Sequence, residues 1–180
     1  MADVCRLYVL KEMGGLYLDT DVEFIKPLPD QFLDDIAFTA FEDQLVSAGV
    51  IGSVKNGEWI SSLLSFYNDK SFYKSDGSLD VNPITEMITS FLAKEKGVLP
   101  NNTYQKVEGY CTIYPSEYFY PKSWKTLKMN ITPNTYCIHH FAGSWIDRNY
   151  TLLGKIANWL LGKRTAERWS EKYRKIKPRK

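Results

Sequence analysis

Two aspartates separated by one residue, Asp19 and Asp21, form the pattern in this sequence that could most directly do chemistry. They follow the pair Gly14 and Gly15, in a run at residues 16–22 that is rich in apolar and β-forming residues. A regular strand points alternate side chains to one face, so both carboxylates should then project to the same side. Paired carboxylates favour a hard divalent cation such as Mg²⁺ or Mn²⁺, which commonly keeps phosphate oxygens as further ligands. The pattern therefore predicts a site for a nucleoside diphosphate.

A helix should precede this strand and position it. Residues 3–13 place Leu7 and Leu10 on one face, and the helix should stop at the glycine pair. Asp3 and Arg6 have the i,i+3 spacing of a helical ion pair. Taken alone, such a pair is a weak surface salt bridge, and an Asp-x-Asp triplet alone is commonly a solvated turn or a helix cap. The combination of the two patterns is more informative than either.

A resemblance to known sugar transferases is carried by residues 3–22, which read DVCRLYVLKEMGGLYLDTDV. This run resembles the core signature of transferases with a DXD motif. It is most similar to the glycosyltransferase family 32 type, which includes capsular-polysaccharide and mannosyl transferases, and a similar arrangement occurs in the glucosylating clostridial toxins. The resemblance implies an α/β protein with the GT-A fold, a Rossmann-like mixed sheet flanked by helices. It also implies a nucleotide-sugar donor, a divalent metal and retention of anomeric configuration.

The same resemblance implies roles for individual side chains. Asp21 should bind the metal directly, and Asp19 should serve the metal or the donor's ribose and sugar, so both are the expected catalytic residues. Asp3 and Arg6 should contact hydroxyls of the donor sugar. Tyr17 should stack or form a hydrogen bond near the donor.

A second stretch, residues 136–145, is similar to the C-terminal metal and phosphate motif of GT-A transferases. It delivers His139 and His140 from a β-rich run, then Ser144 and Trp145. Adjacent strand residues face opposite sides, so at most one histidine should reach the site by its side chain. Imidazole suits Mn²⁺ acceptably, and the serine hydroxyl and the indole N–H can donate to diphosphate oxygens. The resemblance favours His140 over His139 as the ligand, with a structural role for both as the alternative.

The resemblance also predicts the domain organisation. In the GT-A fold the DXD strand follows a nucleotide-binding half, whereas here the similarity begins at residue 3, so that half is expected to be lacking. Residues 1–162 should form the C-terminal portion of the catalytic domain, from the DXD motif onwards, and residues 163–180 a basic helix or tail. Further predicted elements are a helical turn at 31–35, strands at 36–41 and 111–114, a strand or loop at 45–53, helices at 58–67, from 82–86 and from 151, and loops at 70–80 and 97–109.

Composition narrows the class of protein. The chain has 180 residues, of which 44% are hydrophobic and 24% charged, as in a globular domain rather than a disordered chain. Three cysteines lie far apart, which predicts reduced thiols and a cytoplasmic location. There is no apolar run long enough for a membrane span and no signal-peptide pattern. Residues 163–180 carry 9 Lys or Arg against 2 Glu, so peripheral contact with the inner face of an anionic membrane is an option.

These observations predict a metal-dependent glycosyltransferase of polysaccharide, capsule or glycoconjugate synthesis. It would move a sugar from a UDP or GDP donor to a saccharide or lipid-linked acceptor, with Mn²⁺ or Mg²⁺ as cofactor. The alternative is a truncated, non-catalytic transferase-like domain that binds a saccharide or a partner. A phosphohydrolase with Asp19 as nucleophile is disfavoured, because the flanking residues fit transferases better. Nucleic acid is not an expected partner, because no recognised binding motif accompanies the basic residues.

Overall fold

The computed structural model describes residues 2–68, 71 and 82–142. The chain divides after Phe141, and the fold and the site described below belong to the part up to that residue. Several predictions lie outside the described residues: Ser144 and Trp145, the helix from residue 151, the boundary between residues 162 and 163, the basic tail, and most of the loop at 70–80.

The described strands form one large mixed sheet and one small sheet. In the large sheet the strand order is β1-β5-β3-β7-β6, with β4 paired to β3. Its described pairs are antiparallel except β3 with β7. The small sheet pairs β2 with β8, antiparallel. The strands are β1 (Gly15–Leu18), β2 (Val22–Phe24), β3 (Ala37–Glu42), β4 (Leu45–Val46), β5 (Val50–Ser53), β6 (Gln105–Val107), β7 (Cys111–Tyr114) and β8 (Cys137–His139).

Three helices are described: α1 (Ala2–Met13), α2 (Glu58–Ser65) and α3 (Ile84–Lys96). Two short 3-10 turns, Asp30–Phe32 and Ser116–Tyr118, complete the regular structure of this part of the chain. Helix α3 stops at Gly97, whose φ of +69° is the left-handed conformation that glycine adopts most readily. The helices predicted at 3–13, at 58–67 and from 82–86 correspond to α1, α2 and α3, so these three predictions are confirmed.

The core has two parts because the central strand β3 alternates its side chains between two faces. Ala37 and Phe41 join a cluster that includes buried side chains of all three helices, among them Leu7, Trp59 and Ile88. Phe38 and Ala40 join a second, aromatic-rich cluster that reaches the small sheet through Cys137. The molecule is thus an α/β structure with a mixed sheet flanked by helices, compatible with a GT-A-like fold.

The aspartate segment differs from the regular strand expected from its sequence. Strand β1 pairs with β5 and its register ends at Leu18, opposite Val50. Strand β2 pairs with β8 in the other sheet, starting at Val22. Between them the chain turns, and the Val22 N–H donates to the Asp19 carbonyl at 3.1 Å. The two aspartates therefore occupy a turn between two sheets and not the face of one strand.

Other expectations from sequence have mixed outcomes. The strands at 36–41 and 111–114 are confirmed as β3 and β7, and the small-residue stretch at 45–53 becomes β4 and β5. The loop predicted at 97–109 is wrong in part, because it contains the short strand β6. All three cysteines are free thiols. Among the described residues, every helix falls short of the length and apolar character that crossing a membrane requires.

Candidate functional site

Asp19, Asp21 and His139 converge at the end of β1 and the start of the small sheet. Their possible ligand atoms all lie within 4.8 Å of one another. His139 Nε2 is 3.0 Å from Asp21 Oδ1 and 4.0 Å from Asp19 Oδ2. The exposed fractions of the side chains are 27% for Asp19, 24% for Asp21 and 12% for His139, so the cluster is largely enclosed but reachable.

Backbone hydrogen bonds fix this convergence. The Asp19 N–H donates to the Gly49 carbonyl at 2.8 Å, beyond the last residue pair of β1 and β5. The antiparallel register of the small sheet sets His139 opposite Val22, the residue after Asp21. The His140 N–H then donates to the Asp21 carbonyl at 3.0 Å. Each of the three side chains is therefore positioned by backbone pairing between distant segments rather than by its neighbours in sequence.

The donor set fits a six-coordinate divalent ion. With ligands at about 2.1 Å, neighbouring donor atoms of an octahedral ion are about 3.0 Å apart and opposite ones about 4.2 Å. The two separations measured from His139 Nε2 lie at or between these values. Two carboxylates suit Mg²⁺ and Mn²⁺, and the imidazole adds a softer ligand. The residues present therefore match the divalent metal that the sequence predicted, without identifying the ion.

Gly49 leaves space beside the cluster. A Cβ at this position would lie 3.0 Å from Asp19 Oδ2, 3.3 Å from the Tyr120 hydroxyl oxygen and 3.6 Å from His139 Cε1. The Tyr120 hydroxyl itself is buried and accepts a hydrogen bond from the Val50 N–H at 2.7 Å. A side chain at position 49 would thus enter the space between the two proposed metal ligands.

Arg6 ties α1 to the aspartate turn. Its guanidinium contacts Asp3 at 3.1 Å and Asp19 at 3.4 Å, and it donates to the Ala48 carbonyl at 2.5 Å. The predicted Asp3–Arg6 pair is therefore present, but Arg6 is 9% exposed and the pair is not a simple surface salt bridge. Its Nε is buried with no hydrogen-bond partner among the described residues. Arg6 fixes the position of Asp19, and Asp3, with a side chain 34% exposed, lies further out.

Tyr17 belongs to the same network. Its hydroxyl donates to Asp19 Oδ1 at 2.7 Å, and the Arg6 guanidinium carbon lies 4.8 Å from the centre of its ring. Burial, and then this hydrogen bond to a carboxylate, raises the pKa of Tyr17 to about 12. The phenol therefore remains protonated and holds Asp19 in one orientation.

Glu42 is a residue near the cluster that sequence reasoning did not single out. It ends β3, and its Oε2 accepts a hydrogen bond from the buried Ser47 hydroxyl at 3.0 Å. Burial raises the pKa of the Glu42 carboxyl. The hydrogen bond from Ser47 and then His139 oppose this shift, and the charges of Asp43 and Asp19 add to it by smaller amounts. Its place at the start of the polar run 42–44, directly after the apolar residues of β3, is the sequence signal that points to it.

The structure places His139, and not His140, beside the two aspartates. The sequence favoured His140, but its Nε2 lies 2.8 Å from Oε2 of Glu23, and both side chains are substantially exposed, at 44% and 60%. His139, the last residue of β8, faces the aspartates. The physical reason is the alternation of side chains along a strand, which allowed one histidine to reach the site without showing which.

The predicted site residues thus fall into two groups. Arg6 contacts both Asp3 and Asp19, and Tyr17 donates to Asp19, so these four residues form one network. His139, 4.0 Å from Asp19 and 3.0 Å from Asp21, links Asp21 to it. Ser144 and Trp145, expected at the diphosphate, lie outside the described residues.

Comparison with known proteins supports the coarse identity of the first segment. Residues 1–39 match the family model described as a glycosyltransferase sugar-binding region containing a DXD motif. No curated protein and no solved structure matches the chain. The first part of the chain is therefore similar to the sugar-binding region of DXD glycosyltransferases, whereas the narrower relationship to family 32 or to the clostridial toxins stays a prediction.

Proposed function

We propose that this chain provides the metal and donor-sugar site of a glycosyltransferase that uses a nucleoside-diphosphate sugar and retains anomeric configuration. The observation that carries the proposal is the convergence of Asp19, Asp21 and His139 within 4.8 Å, inside a segment similar to DXD sugar-binding regions. The acceptor would be a saccharide or a lipid-linked saccharide of polysaccharide, capsule or glycoconjugate synthesis.

In this proposal Asp21, Asp19 and His139 hold Mn²⁺ or Mg²⁺. When bound, such an ion neutralises charge on the departing diphosphate as a Lewis acid. The chain's own residues then have defined tasks. Arg6 and Tyr17 keep the Asp19 carboxylate in place, and Asp3, the more exposed acid of the network, accepts hydrogen bonds from sugar hydroxyls. Ser144 and Trp145 remain the proposed donors to the diphosphate.

Binding calorimetry tests the proposal directly. UDP and GDP would be titrated into the full chain with Mn²⁺, with Mg²⁺ and with a chelator, and release of sugar from UDP- and GDP-hexoses would be measured in parallel. We expect nucleotide binding that requires the ion and is lost in Asp21→Asn. The matched control is Asp34→Asn, which changes an exposed aspartate outside the cluster. Ion-independent nucleotide binding, or an Asp21→Asn variant that binds like the unchanged chain, would refute the assignment.

A non-catalytic transferase-like domain is the second candidate, and one observation favours it. Within the described ranges the sole parallel pair is β3 with β7, so the successive parallel strands of a nucleotide-binding half are not among these residues. Such a domain would bind a metal and a saccharide or partner without transferring sugar. Ion binding at Asp19 and Asp21 without nucleotide binding or turnover would support this candidate over the first.

A further inference from the structure

A β-hairpin at residues 121–131 projects from the part of the chain that precedes β8. Lys122 and Met129 form an antiparallel bridge, and the Asn130 N–H donates to the Pro121 carbonyl at 2.9 Å. Two further bonds close the tip: the Ser123 N–H to the Lys128 carbonyl at 2.9 Å, and the Leu127 N–H to the Ser123 carbonyl at 2.8 Å. The hairpin therefore has a defined backbone and a defined tip.

The hairpin exposes a basic and apolar surface. Three lysines and no acidic residue occur in residues 121–131. Four large apolar side chains are also exposed there, which is unusual for a short surface hairpin. The combination of lysines with tryptophan and aliphatic side chains is typical of segments that lie in the headgroup region of a bilayer. The apolar residues are Trp124 (48% exposed), Leu127 (62%), Met129 (45%) and Ile131 (56%).

The backbone conformation of Leu127 is an independent indication that the apolar tip contacts another molecule. Its φ is +57°, in the left-handed region that is unfavourable for a bulky L-residue and that glycine or asparagine would occupy more easily. Its side chain gains little from burial within the described residues, since it is 62% exposed. A leucine that is both strained and exposed suggests that its side chain contacts something outside the chain.

We infer that this hairpin docks on a lipid surface that carries anionic headgroups. The apolar tip enters the headgroup region and Lys128 lies against the negative charge. Lys125, whose side chain is 60% exposed although it lies 3.6 Å from Asp43, adds to the positive charge there. A lipid surface fits better than a protein partner, because residues 121–131 combine exposed apolar side chains with lysines and carry no acidic residue of their own. The inference does not require transferase activity.

The hairpin is connected to the candidate site at two points. The Lys122 ammonium donates to the His140 carbonyl at 2.6 Å, and the His140 N–H donates to the carbonyl of Asp21. Lys125 Nζ lies 3.6 Å from Oδ2 of Asp43, next to Glu42. A membrane bound at the hairpin would therefore lie beside the Asp19–Asp21–His139 cluster, where a lipid-linked molecule could reach it.

Vesicle sedimentation of the full chain tests this inference, with vesicles of phosphatidylcholine alone and of phosphatidylcholine with phosphatidylglycerol. We expect stronger partitioning onto the anionic vesicles. The double variant Trp124→Ser/Leu127→Ser should partition about tenfold less, because two apolar side chains no longer enter the interface. Lys128→Gln should partition about fivefold less. The controls are Leu99→Ser, at a position that is 61% exposed, and Lys94→Gln, whose side chain is 83% exposed.

Two further variants separate membrane binding from folding and from donor binding. Leu127→Gly should keep or raise the melting temperature, because glycine tolerates the positive φ, and should still partition less. Asp21→Asn should partition like the unchanged chain. Hairpin variants that partition like the controls would overturn the inference, and this is the result expected if the chain binds through its basic tail alone. Equal binding to neutral and anionic vesicles would overturn it as well.

Discussion

Asp21 and His139 are 118 positions apart in the sequence, and His139 Nε2 lies 3.0 Å from Asp21 Oδ1. The contact exists because β2 and β8 pair with Val22 opposite His139. The geometry of the candidate metal site therefore depends on a two-stranded sheet of three residue pairs and not on the DXD motif alone.

His139→Ala should weaken Mn²⁺ binding by at least about tenfold and Mg²⁺ binding by less, because magnesium gains little from an imidazole ligand. His140→Ala should leave both affinities close to those of the unchanged chain, since its ring faces the exposed Glu23. Metal titration by calorimetry gives both numbers. Mn²⁺ affinity that falls in His140→Ala and not in His139→Ala would restore the assignment expected from sequence.

Gly49→Ala should lower metal affinity by about tenfold, because the new methyl group would lie 3.0 Å from Asp19 Oδ2. It should also lower the melting temperature, because the methyl group would lie 3.3 Å from the buried Tyr120 hydroxyl oxygen. Gly97→Ala is the control for a loss of stability alone. Its φ of +69° is unfavourable for alanine, but a Cβ there has open space around it. The Gly97→Ala variant should have lower thermal stability and an unchanged metal affinity. Equal metal affinity in the two variants would show that the space at position 49 has no effect on metal binding.

Arg6→Leu should lower the free energy of unfolding by about 2–4 kcal/mol in the metal-free chain. The loss arises because Asp3 and Asp19 would face each other without the intervening cation, and the Ala48 carbonyl would lose its donor. Saturating Mn²⁺ should recover part of the loss by neutralising Asp19. Urea denaturation with and without the ion measures both effects, and Lys94→Leu, at an exposed helix position, controls for loss of one positive charge.

Glu42→Gln should stabilise the metal-free chain at neutral pH. Burial raises the pKa of Glu42 above the ordinary value of 4.5, so the folded state holds this proton more tightly than the unfolded state does. The stability linked to that proton is present below pH 4.5 and is lost as the pH rises through the higher folded-state value. Glutamine keeps an acceptor for Ser47 and does not ionise.

The expected gain in unfolding free energy for Glu42→Gln is therefore close to zero in acid and grows toward neutral pH. Denaturation curves across this range, with chelator present, measure it. Glu108→Gln, whose side chain is 88% exposed, should show no such trend. A gain that is independent of pH would mean that the ionised Glu42 carboxylate is not the destabilising species.

Much of the candidate site could be predicted from local sequence because its parts are close along the chain. The Asp3–Arg6 pair follows from helical spacing, and the link from that pair to Asp19 follows from a helix that stops at Gly14 and turns back as a strand. The two aspartates do converge, but a turn brings them together where a regular strand was expected. Spacing alone does not distinguish these two geometries.

The rest depends on pairings between distant segments. The choice of His139 over His140 is set by the register of β8 against β2, and nothing in residues 136–140 encodes that register. Glu42 comes near the cluster because β3 lies in the middle of the large sheet, a position that a strand's own residues do not reveal. Gly49 is one small residue in a run of several, and only its Cβ direction shows that it adjoins Asp19.

The turn between β1 and β2 has a thermodynamic consequence. Asp19 is hydrogen-bonded to the large sheet through Gly49, and Asp21 is hydrogen-bonded to His140 beside the small sheet. An ion bound by both carboxylates would therefore connect the two sheets. Metal binding would then slow amide exchange in β2 and β8. These two short strands would become as protected from exchange as the adjoining core.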